Sequence, residues 1–574
     1  MQRTASSLLT MSLTLVIALY VIHFVLFGFY IGPYDYDHLS SYYELAWRYW
    51  ASSHHLPHFN PYFCGGRSLG ADPQIPIFHP LVILVPVMGA TSLIKLEMLG
   101  QLALGTWGLF KLLKNMGCPR ENVLWGMLLF ISGGGIVCRF MVGHVTLGFF
   151  FLFPLFVYLS YELAKCSGKR QHKLACLTLL LFTYAGLYKP NFLIYGVPLL
   201  AVEHFSRAWL TKNIRVAGWF IAGILCCILV NASAYLPAWH YFTHFPRTYD
   251  AGIKHSPWVA FVANLLFPLK AVPEPLYGNV FMQRHEYSIF LGPVGLFFAA
   301  LAIKRNFHWH QAIPFILMAL FSFGLGLGAT EEGLSIFTPF SWLYSWWPGF
   351  HSIRVPVRFW FAAYFVLVLF SAKGFSPPAS RVHWVLLLGL GILPLLANVS
   401  INLFKTTLLA AQKQSSIPRL YPHELLWAEG HPDNMYSYIR KGQGVLACQD
   451  NLESHRSSKV EQGPFLRTNI IGPAHVDARL LDWNEIAVSA TNAQHSTIRF
   501  NFNHSPQWIF RGQGATISSV LGEPLTLTAS NKMIEGHLVY EQPYLKEGVA
   551  ITMCSILAIG VGLLGWGYTM RRRV

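Results

Sequence analysis

The chain has 574 residues, 53% of them hydrophobic and only 12% charged, with a mean hydropathy of +0.41. Soluble chains carry about 25% charged residues, so this composition excludes a soluble enzyme and points to an integral membrane protein. The net charge of +16 would suit a nucleic-acid partner, but the basic residues sit where membrane topology wants them.

Apolar stretches of roughly spanning length, about 20 residues, are predicted in chain order at 8–30, 92–114, 122–138, 145–163, 174–187, 191–203, 217–239, 288–303, 311–329, 357–373, 384–403 and 549–570. They give a polytopic helical protein of 12 expected spans. The first is too long for a simple signal peptide and lacks its cleavage site, so it is read as a retained helix. Basic clusters fall at alternate connections: Lys111, Lys114 and Arg120; Lys165, Lys169, Arg170 and Lys173; Arg207, Lys212 and Arg215; Lys304 and Arg305; Arg571, Arg572 and Arg573. The positive-inside rule puts these and both termini in the cytoplasm. The loops 31–77, 240–287, 330–356 and 405–548 then lie outside.

The first outer loop opens with "YDYDHLSSYYELAWRYW", Tyr34–Trp50. Its aromatic stripe at helical spacing predicts a short helix lying along the membrane surface, where Tyr and Trp are favoured. That reading does not explain Asp35 and Asp37, because ionisable groups at membrane depth are costly and tend to be functional. Other such groups fall at the same ends of the spans. Asp72 and His79 close the first loop, Arg139 and His144 follow 122–138, and Lys189 lies in "GLYKPN". Glu286 lies in "RHEYSIFLGPVG", and Arg354 and Arg358 in "SIRVPVRFW". Arg and Lys in such a set can bind a phosphate while a carboxylate activates a hydroxyl.

Residues 405–548 form a polar region before the last helix. Alternation predicts strands near 485–491, 497–503, 507–511, 525–529 and 534–541, separated by the turn-forming "NHSPQ", "GQG" and "LGEP". The expectation is a small extracytoplasmic antiparallel sandwich, β-rich in the second half of the region. The chain thus divides into a bundle (1–403), the polar domain (405–548) and a last helix with a basic end (549–574). Of nine cysteines, only Cys64 and Cys448 fall clearly in outer regions; the two could pair, but they are read as two unrelated free thiols. No Walker loop, His-pair zinc motif or serine elbow is present.

From Asp37 to Leu84, the aspartate after the first helix, the paired Tyr42 and Tyr43, "LPHFNPYFCGG", "ADPQ" and "FHPL" follow one another in an order and spacing that resemble the first outer loop of the YfhO family. "HEYSIFLGPVGLFFAA" and "IRVPVRFWF" resemble two later elements of that family. The chain departs from the pattern at Phe59, where the family usually has Trp, and at His55. The YfhO family belongs to the GT-C membrane glycosyltransferases. The resemblance implies a GT-C-like bundle and an inverting glycosyltransferase on the outer face of a bacterial cytoplasmic membrane. Its donor would be a polyprenyl-phosphate-linked sugar, and its acceptor an extracytoplasmic glycan, glycolipid or protein. Family spacing favours Asp37 as general base, with Asp35 beside it. Arg354, Arg358 and Lys189 would hold the donor phosphate, and Glu286, Asp72, His79, His144 and Asn60 would contact substrate. No metal is required on this reading, and a divalent cation at the Asp35-x-Asp37 pair is its weaker variant. A lipid or glycan transporter and a non-catalytic envelope assembly factor are the competing classes.

Overall fold

The computed structural model describes residues 2–571 apart from 29, 32–34, 54, 73, 245–257, 269–283, 305–308, 329–337, 348–349, 351–352, 354, 378–379, 406–411, 414–424, 429–434, 442 and 447–456. The chain forms two compact units. One contains Met1–Tyr36, Ile94–Cys227 and Tyr249–Gln412; the other contains Asp37–Leu93, Ile228–Thr248 and Lys413–Val574.

Among the described residues, seven helices are long and apolar enough to cross a membrane: Ala5–Phe27, Arg120–Val142, Val145–Lys165, His285–Lys304, Pro356–Gly374, Val382–Phe404 and Leu545–Gly562. The bent pair Arg215–Val230 and Ala232–Tyr241 makes an eighth if counted as one span. The chain is therefore an integral membrane protein, and the expected count of 12 is not reached. The remaining stretches are helical but fall short for physical reasons. Ala90–Asn115 is long enough but carries Lys95, Glu97, Lys111 and Lys114. Gly168–Gly186 begins with Lys169, Arg170 and Lys173, and His310–Gly326 is apolar but short.

In the first unit the helices pack through small residues and satisfied polar groups. This is the economy expected where lipid is as apolar as leucine. A Cβ on Gly105 would lie 1.6 Å from the carbonyl oxygen of Phe151, so only glycine lets these two helices come so close. Trp125 is fully buried; its indole N–H donates to Ser371 Oγ at 3.0 Å, and its ring stacks on Phe375. The span Arg120–Val142 is interrupted at Gly133, between the helices Arg120–Ser132 and Gly134–Val142. The Tyr364 hydroxyl reaches the carbonyls of Leu129 and Phe130 at 3.0 and 3.2 Å, and Asn398 Nδ2 donates to Ser132 O at 2.9 Å. Carbonyls freed by the break thus keep partners inside the membrane.

The second unit holds the helix from Asp37 onward and two four-stranded antiparallel sheets. One sheet runs Trp508–Gln513, Ile534–Tyr540, Glu485–Thr491, His475–Asp482; the other runs Ala515–Ile517, Pro524–Ala529, Thr497–Asn503, Thr468–Ile471. Alternation sorts the faces as a period of two requires. Ile486, Val488 and Ala490 are buried on one strand, and Ile534, Leu538 and Tyr540 on its neighbour. Phe59, the departure from the usual Trp, packs against Trp508, Tyr540, Phe465 and Phe502. It belongs to a short hairpin, Phe59–Asn60 paired with Arg67–Ser68. A Cβ on Gly66 (φ 94°) would lie 2.6 Å from the Phe59 ring, which explains the second glycine of "CGG".

Two expectations are corrected here. The stripe of the helix Asp35–Ser52 does not face a membrane surface: Tyr42, Tyr43 and Tyr49 are buried. Tyr49 meets Trp483 edge to face, its hydroxyl donates to His55 O at 2.7 Å, and Asn484 Nδ2 approaches that hydroxyl at 3.3 Å. The stripe satisfies protein partners, while Trp50 remains half exposed. Second, Cys64 is disulfide-bonded rather than a free thiol. The other described cysteines are free, and Cys448 lies outside the described residues. A disulfide marks an oxidising compartment. Alkylation of the unreduced, denatured protein should therefore leave Cys64 unlabelled, and reduction should expose it to label, as peptide mass spectrometry would read directly. Labelling of Cys64 without reductant would refute the bond.

Candidate active site

The interrupted span sets the geometry of the site. Gly143 ends the helix Gly134–Val142 in the left-handed region (φ 82°), and the N–H of His144 returns to Arg139 O at 3.1 Å. This αL ending is a common helix stop. A Cβ on Gly143 would sit 2.7 Å from the Tyr36 ring, whose hydroxyl donates to Phe140 O at 2.7 Å. Tyr36 thereby fastens the chain just after the first span to this helix end, and Asp35 arrives beside His144.

The same helix receives the segment carrying Glu286. The Gly134 N–H donates to Phe290 O at 3.0 Å, and a Cβ there would fall 2.3 Å from Ser288 Oγ. Glu286 sits in the 3-10 turn Arg284–Tyr287, and Arg358 in another, Pro356–Phe359, which opens the helix Trp360–Gly374.

Four expected residues meet in this unit. His144 Nε2 lies 3.1 Å from Asp35 Oδ2 and 3.8 Å from Glu286 Oε1. Arg358 grips Glu286 with two donors; Nε to Oε2 measures 2.9 Å, and Nη2 bonds Oε1. His285 completes the group, with Nε2 3.9 Å from Glu286 Oε1 and its ring edge-to-face with His144 at 5.3 Å. The His144 and Glu286 side chains are 3% and 8% exposed, whereas that of Asp35 is 41% exposed. The cluster therefore has a buried floor and one open carboxylate. Arg139 is fully buried and stacks over Phe150 and Phe361, with ring centroids 4.8 and 5.5 Å away. Its Nη1 donates to Gly135 O at 2.9 Å, while Nε and Nη2 have no hydrogen-bond partner among the described residues. A buried guanidinium with spare donors suits an anion.

The other expected residues have local partners. Lys189 bonds Glu97, which also accepts from Gln101 Nε2 at 2.9 Å and lies 3.3 Å from the Tyr184 hydroxyl. Asp37 is buried and accepts the N–H of Tyr436 at 3.2 Å. Asp72 accepts from Arg67 Nη2 at 2.5 Å and from the Tyr42 hydroxyl at 3.2 Å. Burial works against the Arg67 charge, but Tyr42 and Asp72 more than offset it and hold its pKa above the usual arginine value. His79 caps the turn Pro80–Leu84 by accepting from Leu81 N at 3.2 Å. Asn60 Oδ1 accepts from Tyr62 N at 2.9 Å inside the hairpin loop. Arg354 lies outside the described residues. Two participants were not anticipated from the sequence, His285 and Glu97. His285 was in view as the neighbour of Glu286 in "RHEY"; the pairing of Glu97 with Lys189, 92 positions away, has no local signal.

No protein-family model matches the chain, and no curated protein matches it in sequence. Among solved structures it is similar to the arabinofuranosyltransferase AftD from mycobacteria, at 15% identity and a TM-score of 0.41. The match covers 71% of this chain and 28% of that one, so the present chain corresponds to about a quarter of its length.

Proposed function

We propose that this protein is an inverting membrane glycosyltransferase that takes a sugar from a polyprenyl-phosphate carrier and passes it to an extracytoplasmic hydroxyl acceptor. One observation carries the reading: the largely buried His144, His285, Glu286 and Arg358 gather with the exposed Asp35 at one end of the spans. Asp35 follows the span Ala5–Phe27 and His144 follows Arg120–Val142, while Glu286 and Arg358 open His285–Lys304 and Pro356–Gly374. The basic residues Arg120, Lys165, Lys304 and Lys373 lie at the opposite ends of their spans. By the positive-inside rule the group faces away from the cytoplasm, and the Cys64 disulfide supports the same compartment for its own unit.

The chemistry asked of such a site is modest. The acceptor oxygen bonds to the anomeric carbon as the bond from that carbon to the carrier phosphate breaks. The phosphate leaves with the bonding electron pair, and the hydroxyl proton passes to a carboxylate. A base must reach the substrate. We therefore assign that role to the exposed Asp35, with His144 orienting it, and give Asp37 a positioning role through Tyr436. Arg358 spends two of its donors on Glu286 and keeps others, and Arg139 has donors to spare. These two guanidiniums would receive the leaving phosphate, with Arg354 a further candidate from the sequence, while Lys189 is engaged by Glu97. No step in this scheme requires a metal.

The test is transfer itself. Purified protein in lipid nanodiscs, given a panel of polyprenyl-phosphate sugars and a membrane glycan extract, is expected to release the free carrier phosphate and form a new glycosidic bond. Movement of the intact lipid-linked sugar across a vesicle bilayer without cleavage would instead establish a transporter. Absence of both activities, with envelope defects confined to variants lacking 405–548, would favour an assembly role.

A further inference from the structure

His144, His285 and Glu286 each bring one ligand atom into a space where all three lie within 4.8 Å of one another, and all three residues are buried. We propose that they hold a zinc-class divalent ion through these three ligands, with the fourth position open. A tetrahedral zinc site with bonds of about 2.0–2.1 Å places its ligand atoms about 3.3 Å apart. The contacts of 3.8 and 3.9 Å from His144 and His285 to Glu286 Oε1 lie near that spacing.

The imidazoles and carboxylates of this group compete for the same contacts. His144 Nε2 faces two carboxylate oxygens, Asp35 Oδ2 and Glu286 Oε1, yet a single N–H serves one acceptor well. His285 directs its own Nε2 at that same Glu286 oxygen. The Nδ1 of His144 is buried with no hydrogen-bond partner among the described residues. One cation replaces these competing contacts with a bond to each of the three residues. The donor set also chooses the ion: two imidazoles with carboxylates favour zinc and its neighbours over magnesium or calcium, which take oxygen ligands. Among the described residues, Arg358 and Arg139 are cations beside the group; Arg358 bonds both oxygens of Glu286, including the Oε1 that the imidazoles face, and would fix that ligand from the second shell. The site differs from an Asp-x-Asp pair in that Asp37 takes no part.

The inference stands apart from the transfer reading because its readout is metal content. Protein purified through a tag without histidine, stripped with chelator and reloaded with Zn2+, is expected to retain one zinc per chain by elemental mass spectrometry. His285→Gln and His144→Gln should each weaken binding more than ~100-fold, while His172→Gln, at an exposed position, should match the parent. Loading the unmutated protein with Co2+ should give the strong visible absorption of a four-coordinate site, which requires no variant to fold. A parent that holds no more zinc than a control membrane protein would overturn the proposal. So would undiminished binding by His285→Gln, or a Co2+ spectrum showing only hexa-aqua-like bands.

Discussion

Replacing Asp35 with Asn is expected to lower the transfer rate by roughly 100- to 10,000-fold, the usual contribution of a positioned general base. The substitution keeps size and one acceptor oxygen but removes the site that takes the proton. The effect should fall on kcat at saturating donor, because Asp35 does not belong to the arginine set assigned to the phosphate. Asp37→Asn should behave differently. Its amide oxygen can still accept the N–H of Tyr436, now held at 3.2 Å, so kcat should change less than tenfold by the same scale. The two variants therefore discriminate between the neighbouring aspartates that family spacing alone ranked the other way. If Asp37→Asn proves the inactive one, the base belongs to the second unit and the role given to Asp35 fails.

Glu286→Gln should produce the largest loss of stability. Glu286 takes two donors from Arg358, and both side chains are largely buried, 8% and 17% exposed. A buried ion pair adds little over apolar packing, but removing one partner strands the other charge and costs about 3–5 kcal/mol. Gln also offers only one oxygen to the two donors. Thermal unfolding in detergent, followed by tryptophan fluorescence in the presence of chelator so that no metal contributes, should show a clear downward shift. Arg358→Gln combined with Glu286→Gln should recover part of it, since neither charge is then left alone. A double variant no more stable than the weaker single one would show that the pair is not what holds these two turns together.

Much of the architecture could be read in the order of residues, and the exceptions have physical causes. The strands Glu485–Thr491, Thr497–Asn503, Pro524–Ala529 and Ile534–Tyr540 stand where alternation of apolar and polar side chains put them, because one face of each is buried. His475–Asp482 was not anticipated. It is an edge strand on which most side chains are exposed or half-exposed, and although "HVDARL" alternates polar and apolar residues, its apolar positions are too few and too small to stand out as a buried face. The helix Asp35–Ser52 was expected from its aromatic spacing, but the same spacing fits a lipid boundary and a protein core equally well. Only the partners of Tyr49, namely His55, Asn484 and Trp483, decide between them. Reading apolar stretches gave 12 spans, of which seven or eight are long and apolar enough among the described residues; a helix such as Ala90–Asn115 is long but carries ionisable groups that pair inside the protein, as Glu97 does with Lys189.

For the site, the residue types and their positions at one set of span ends followed from the sequence alone. Burying charge at membrane depth is costly enough that it shows even in a single chain. Composition likewise determined that the protein lives in a membrane. Which of the charged groups touch was decided only by tertiary structure. Asp35 reaches His144 through a contact of Tyr36 with a helix end 104 residues away, and Glu286 meets Arg358 across 72. Such contacts depend on close approaches at Gly134 and Gly143 and on the break at Gly133, and no local period encodes them. The pairing of His285 with His144, and the separate engagement of Asp37 by Tyr436, are consequences of that packing.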